Sequence, residues 1–181
     1  MALKSTIYKV KLNISDLDRN LYGDFALSVA RHPSETEARM MLRVAAFALN
    51  ADAQLEFGRG ISTDDEPDLW RKDLTGSIEL WIDLGTPDPD RLRKACGRAE
   101  QVVLYAYGDR ALEVWWEKNR ESLARFDNLS VYSVADADCA YLATLASPRL
   151  DLQCTVSDGE LWLTEGEHTT HLKPKVLRLS N

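Results

Sequence analysis

The chain has 181 residues, 45% of them hydrophobic and 28% charged, with a formal charge of −7. That length carries one globular domain with a real core, and the composition is ordinary for a soluble protein. The acidic balance is not that of a protein that coats nucleic acid non-specifically, although a metal-dependent nuclease, whose site concentrates carboxylates, is compatible with it.

Residues 6–14, T-I-Y-K-V-K-L-N-I, alternate. Tyr8, Val10, Leu12 and Ile14 face one way, Lys9, Lys11 and Asn13 the other, as in a half-buried strand. After the polar turn D-L-D-R-N, residues 22–30 read as its hairpin partner with Phe25, Leu27 and Val29 inward. The segment R-H-P-S-E-T-E then predicts a helix start, with Ser34 as cap and Glu37 reaching back in a capping box. That helix runs to about Asn50 with Met41, Val44, Ala45 and Ala48 on one face. Strands are predicted at 55–61, 69–72 and 78–84. The turn T-P-D-P-D leads into a helix over about 90–100, and the continuous apolar run 102–107 suits a central or parallel strand. A helix at 110–126, a strand at 129–134 and a short helix at 136–146 follow. The end, L-D-L-Q-C-T-V-S-D-G-E-L-W-L, reads as a hairpin about a type I′ turn at Asp158-Gly159. There is no repeat, low-complexity tract or linker, so a single domain over 1–181 is expected. The order predicts an α/β protein, a mixed sheet flanked by helices, with the terminal hairpins extending that sheet or forming a second small one.

No apolar run approaches the ~18 residues that span a membrane, and the start M-A-L-K-S-T-I-Y-K-V has no signal-peptide core. Cys96, Cys139 and Cys154 are odd in number, widely spaced and without C-x-x-C. That argues against a disulfide framework or a zinc site. The expectation is a reduced, cytoplasmic protein without membrane contact; oligomeric state is not legible.

The stretch D-D-E-P-D-L-W-R-K-D-L-T-G-S-I-E-L-W-I-D-L-G at 64–85 is dense in acids. In its second strand Ile78, Leu80, Ile82 and Leu84 share one face, and Glu79, Trp81 and Asp83 the other. A hairpin centred near Leu74-Thr75 would set Asp68 opposite Trp81 and Trp70 opposite Glu79. Asp68 would then share a face with Glu79 and Asp83, diagonal to each at roughly 7–8 Å. Glu79 and Asp83 themselves would lie roughly 13 Å apart, too far to share an ion on an unbulged strand. One pair with Asp68 suffices for a hard cation such as Mg²⁺, which keeps several waters. The same pattern also describes a solvated sheet face, and both readings stay open.

The set M-A-L-K-S-T-I-Y-K, A-R-H-P-S-E-T, D-D-E-P-D-L-W, I-E-L-W-I-D-L-G and N-L-S-V-Y resembles the YaeQ family of bacterial proteins over nearly the whole chain. That resemblance implies a core like that of the PD-(D/E)XK (restriction-endonuclease-like) nucleases: a helix, three antiparallel strands, a helix and a further strand, with N- and C-terminal hairpins added. It further implies that Asp68, in a literal Pro-Asp, is a metal-binding acid, that Glu79 or Asp83 is the second, and that Glu37 stands for an acid on the first core helix. The superfamily's lysine two residues after the second acid is missing: Trp81 and Gly85 occupy those places. Lys94 on the following helix is the candidate replacement. Gln101 and Tyr105 resemble a Q-x₃-Y helix motif but fall in or beside a strand.

The expected function is therefore an Mg²⁺- or Mn²⁺-dependent nuclease or phosphodiesterase acting on nucleic acid. The metal would polarise the phosphoryl oxygen and acidify its water, and Lys94 would stand at the developing oxyanion. The alternative is a catalytically silent relative that binds nucleic acid or a protein partner in a regulatory role. Other residues have plainer readings. Glu37 also completes a capping box, Asp64, Asp65 and Glu66 form an acidic loop that serves the same ion or is simply solvated, and Arg31, Arg39, Arg43 and Arg59 are phosphate contacts or ion-pair partners. His32, His168 and His171 form no metal triad, and no Ser-His-Asp, Cys-His or glycine-rich phosphate loop is legible.

Overall fold

A computed structural model describes residues 4–59 and 65–181. The chain divides into two compact units, one built from residues up to Ala53 with Ala137–Lys173, the other from Gln54–Asp136 with Pro174–Asn181.

In the first unit, β1 (Thr6–Asp16) buries Tyr8, Val10, Leu12 and Ile14, while Lys9, Lys11 and Asn13 face water. Its partner β2 (Leu21–Arg31) runs antiparallel in unbroken register from Thr6↔Arg31 to Asp16↔Leu21. On the other side of β1 lies β8 (Arg149–Ser157), and that pairing is parallel. A two-residue turn then leads to β9 (Glu160–Glu165): Asp158 and Gly159 both take left-handed φ, 54° and 73°, as a type I′ turn requires. Asp18 holds this turn by accepting from the amides of Asp158 and Gly159 at 2.7 and 2.9 Å. β10 (His168–Leu172) completes a five-stranded sheet of order β10-β9-β8-β1-β2. So the two expected hairpins, β1/β2 and β8/β9, join in a sheet of their own, the second of the two expected arrangements.

Helix α1 (Glu37–Leu49) packs on β1, β2, β8 and β9 and buries every residue from Met40 to Ala48. Its cap is Thr36, whose side chain accepts from the Arg39 amide at 3.1 Å. The capping box expected at Ser34 and Glu37 is thereby corrected. Ser34 instead turns its hydroxyl to His32 Nδ1 at 2.6 Å, which leaves it outside the helix. Helix α4 (Asp136–Thr144) precedes β8.

The second unit carries a six-stranded mixed sheet of order β11-β7-β6-β5-β4-β3. Strands β3 (Leu55–Phe57), β4 (Leu69–Lys72) and β5 (Ile78–Leu84) are antiparallel. Helix α2 (Pro89–Arg98) crosses from β5 to the parallel β6 (Ala99–Tyr107), and α3 (Asp109–Leu123) crosses from β6 to the parallel β7 (Leu129–Val134). β11 (Lys175–Arg178) closes the far edge, antiparallel to β7. Trp81, Val102, Leu104 and Val131 of the sheet pack with Leu92, Ala95, Leu112 and Leu123 of the helices in one apolar cluster. Several boundaries differ from expectation: β6 starts at Ala99, α3 ends at Leu123 and α4 ends at Thr144. α2 stops at Arg98, because Asn128 Nδ2 takes the carbonyls of Cys96 and Ala99 at 3.0 and 2.9 Å and frees Ala99 for the strand. The predicted strand 55–61 is regular only over Leu55–Phe57; Gly60 and Ile61 lie outside the described residues.

Candidate functional site

The acidic hairpin owes its register to its turn. Asp73 Oδ1 accepts from the amides of Thr75 and Ser77 and from the Thr75 hydroxyl, at 2.7–2.9 Å. The Asp73 amide donates to the Ser77 carbonyl at 2.9 Å, and Gly76 takes φ 89°. This is a three-residue loop with a left-handed glycine, centred on Thr75 rather than between Leu74 and Thr75. A bulge between Arg71 and Lys72 then shifts the pairing once more. The outcome is Leu69↔Ile82, Trp70↔Trp81, Arg71↔Leu80 and Lys72↔Ile78. The expected pairings of Asp68 with Trp81 and of Trp70 with Glu79 are therefore corrected. Continued by one residue, the observed register sets Asp68 opposite Asp83.

Both aspartates are buried, Asp68 at 8% and Asp83 at 1% exposure. Asp68 Oδ2 accepts from the Leu84 amide at 2.9 Å, which ties the end of the loop to β5. That loop is held from its other side by Gly58, whose amide donates to the Asp68 carbonyl at 3.0 Å. A Cβ on Gly58 would stand 1.9 Å from the Pro67 carbonyl oxygen, so only glycine fits this approach.

Asp83 faces Arg91 of α2. Nε and Nη2 of the guanidinium donate to its two carboxylate oxygens at 2.9 and 3.0 Å, a bidentate fork. Arg91 Nη2 also donates to the Glu66 carbonyl at 2.9 Å. Trp81, on the same strand face as Asp83, lies under two cations: Cζ of Arg98 is 5.1 Å and Cζ of Arg91 5.9 Å from its ring centre. Arg98 in turn donates to the Asp65 carbonyl at 2.9 Å. The fork, the two backbone carbonyls and the indole thus fasten the 65–68 loop, β5 and α2 to one another.

The other expected site residues are placed elsewhere. Glu79 lies at the bulge and pairs with Arg71 at 2.9 Å, both side chains part-exposed. Lys94 is exposed on α2, and the cation that meets Asp83 is Arg91, one turn earlier. Glu37 is exposed in the first turn of α1. The acid buried there is Glu35, at 5% exposure. Arg43 Nε and Nη2 grip its two oxygens at 2.9 and 2.7 Å, Arg39 Nη1 adds a contact at 3.1 Å, and Arg31 Nη1 donates to its carbonyl at 2.7 Å. Three of the four candidate phosphate-binding arginines are thus spent on Glu35, and Arg59 pairs with Glu66 at 3.4 Å. Sequence reasoning missed Glu35 and Arg91. The first had a signal, since Glu35, Arg39 and Arg43 fall at helical spacing. The second had none, for R-L-R-K gives no reason to prefer Arg91 over Lys94. Asp64 lies outside the described residues. Among the described residues no three or more His, Cys, Asp or Glu side chains are grouped to hold a metal, and no helix is long and apolar enough to cross a membrane.

Two mixed sheets flanked by helices, with a buried aspartate pair and an arginine fork in the six-stranded one, define the class: a mixed α+β protein with an acid–arginine site. The family model described as YaeQ protein matches residues 1–174. The chain is 46% identical over 173 residues to the "Uncharacterized protein YaeQ" of Salmonella typhi, covering 96% of each. It is 45% identical over 168 residues to that of Escherichia coli (strain K12), covering 93% of each. Among solved structures, the YaeQ protein from Xanthomonas axonopodis pv. citri superposes with a TM-score of 0.93 at 44% identity, over 96% of this chain and 98% of that one. The YaeQ protein from Pseudomonas syringae gives 0.92 at 36% identity, over 97% of both. The chain belongs to the YaeQ family.

Proposed function

We propose that this chain carries a PD-(D/E)XK-like core that has turned its acidic site into an internal clamp, and that it acts by binding a protein partner in a regulatory role rather than by cutting phosphodiesters. Arg91 carries this reading, because its fork occupies both oxygens of Asp83. The element order of the second unit supports the core: antiparallel β3, β4 and β5, then α2 and the parallel β6. Asp68 at the entry to the second of those strands and Asp83 on the third match the superfamily's two acids in position.

The side chains present do not fit a hydrolytic Mg²⁺ centre. A hard cation at Asp83 would have to displace the guanidinium. Glu79 is paired with Arg71, and the places two residues after either acid hold Trp81 and Gly85. Lys94 points its charge to water from an exposed helix position. The net charge of −7 favours a protein over a polyanion as partner.

The nuclease reading keeps one supporting observation, the register that brings Asp68 beside Asp83. Calorimetric titration with MnCl₂ separates the two. The wild type is expected to give no binding heat and to leave DNA and RNA substrates uncut. Arg91→Ala is expected to gain Mn²⁺ affinity, which Asp68→Asn added to it removes. Cleavage by the wild type that depends on Mn²⁺ and is lost in Asp68→Asn would overturn the clamp and restore the nuclease.

A further inference from the structure

Most sheet edges in this chain are blunted. β3 has three residues, and β11 has four with a register shift between Val176 and Arg178. β10 has five and stops two residues before Pro174. Short strands, bulges and prolines are the ordinary protection against edge pairing. β2 has none of them. It runs eleven residues, Leu21–Arg31, without proline and without a break in its register to β1, and it ends its sheet.

The direction of its free backbone groups follows from β1. The Lys9 amide donates to the Pro148 carbonyl at 2.9 Å, on the β8 side, so Lys9 turns away from β2. Its register partner Ser28 is then in a non-hydrogen-bonded pair and points its own amide and carbonyl toward the open edge. The same holds at every second residue: Tyr22, Asp24, Ala26 and Ala30. The Ala30 carbonyl agrees, since it accepts from the Arg43 side chain at 2.8 Å rather than from β1. Among the described residues the other four make no backbone hydrogen bond on that edge.

We propose that β2 pairs antiparallel with β2 of a second copy of this chain about a two-fold axis at Ala26, joining the two five-stranded sheets. This register matches outward group to outward group: Ala26 with Ala26, Asp24 with Ser28, Tyr22 with Ala30. On the core-facing side it sets Phe25 against Leu27, two half-buried apolar residues that would each cover the other. It opposes no like charges. Lys9 Nζ already rests on Ser28 Oγ at 2.7 Å, so Asp24 of the second copy arrives beside an ammonium. Centring on Asp24 instead would place two carboxylates face to face, and centring on Ser28 would leave Tyr22 unpaired. The sequence is thus self-complementary about Ala26, and that centre is the one the variants below test.

Light scattering after size exclusion is expected to give twice the 20.4 kDa chain mass. Ala26→Pro removes an outward donor that β1 does not use, so it is expected to yield a folded monomer with unchanged circular dichroism. Ala26→Cys places two thiols across the axis, with Cα atoms roughly 5.5 Å apart as in any hydrogen-bonded antiparallel pair. Mild oxidation is expected to link it into a covalent dimer, while Asp24→Cys, Ser28→Cys and the wild type stay unlinked. A wild type that remains monomeric at every concentration tested overturns the proposal. So does a dimer indifferent to Ala26→Pro, or linking that is equal at the three positions.

Discussion

Glu35 in the first unit and Asp83 in the second are both buried carboxylates held by a guanidinium fork, and in both the arginine lies eight residues downstream. The eight residues do different work. From Glu35 to Arg43 they are mostly helix, and the intervening Arg39 reaches the same carboxylate. From Asp83 to Arg91 they leave a strand, pass Gly85 at φ 94° and the turn T-P-D-P-D, and enter a new helix. The first cluster reaches back only to the end of β2, through Arg31 and the Ala30 carbonyl, and so braces one continuous stretch of chain. The second also takes in Leu84 through Asp68 and Glu66 through Arg91, so it gathers three segments. Solvent separates them as well: Arg43 is 3% exposed at its side chain and Arg91 25%. Equal spacing in sequence thus produces a closed, dry pair in one unit and a wetter, longer-range junction in the other.

The largest expected effect tests the dry pair. Arg43→Ala leaves the buried Glu35 carboxylate with the single Arg39 contact in place of the fork and is expected to cost about 3–5 kcal/mol in urea unfolding. The contrast breaks if Arg91→Ala costs as much. Because water reaches Arg91, that substitution is expected to cost only about 1–3 kcal/mol, with faster amide exchange at Leu84 as the loop loosens. Arg91→Lys is expected not to restore it, since one ammonium does not reproduce a planar fork. Gly58→Ala attacks the same junction through the backbone: a Cβ cannot share space with the Pro67 carbonyl, and a loss of about 1–3 kcal/mol is expected. Thr36→Ala, which removes the cap of the helix that carries Arg39 and Arg43, is expected to cost about 1 kcal/mol. Ser34→Ala should cost less than Thr36→Ala; the reverse order would return the cap to Ser34.

The smallest effect is on rates. Burial pushes the Cys96 thiol up to about 11, offset in part by the Arg178 charge, and the Cys154 thiol up to about 12. A raised thiol pKa leaves little thiolate at pH 8, so alkylation by iodoacetamide should be slow there. It should accelerate as the pH approaches 11, at Cys96 before Cys154. Rapid labelling of either at pH 8 in the folded chain would contradict that burial.

Legibility followed the range of the interaction. Strand alternation in β1 and β8, the Asp158-Gly159 turn and the helix over Glu37–Leu49 were readable because each is a contest among neighbours. The aspartates were readable as a shared face, since period two survives any even shift of register. Their pairing was not, because the loop glycine and the bulge each moved it by one residue. β11 was missed for a related reason: K-V-L-R is too short and too polar to announce a strand, and only its neighbour β7 recruits it.

Sequence alone determined the family, the elements with strong periodicity and the presence of two acids on one strand face. Tertiary structure decided which cation meets them. Arg91 and Lys94 stand three residues apart on one helix, and their charges are alike on paper. Only the path of the turn from β5 into α2 aims the arginine's fork at Asp83 and leaves the lysine in water. A side chain's charge is a property of its residue, but its partner is set by where the backbone carries it.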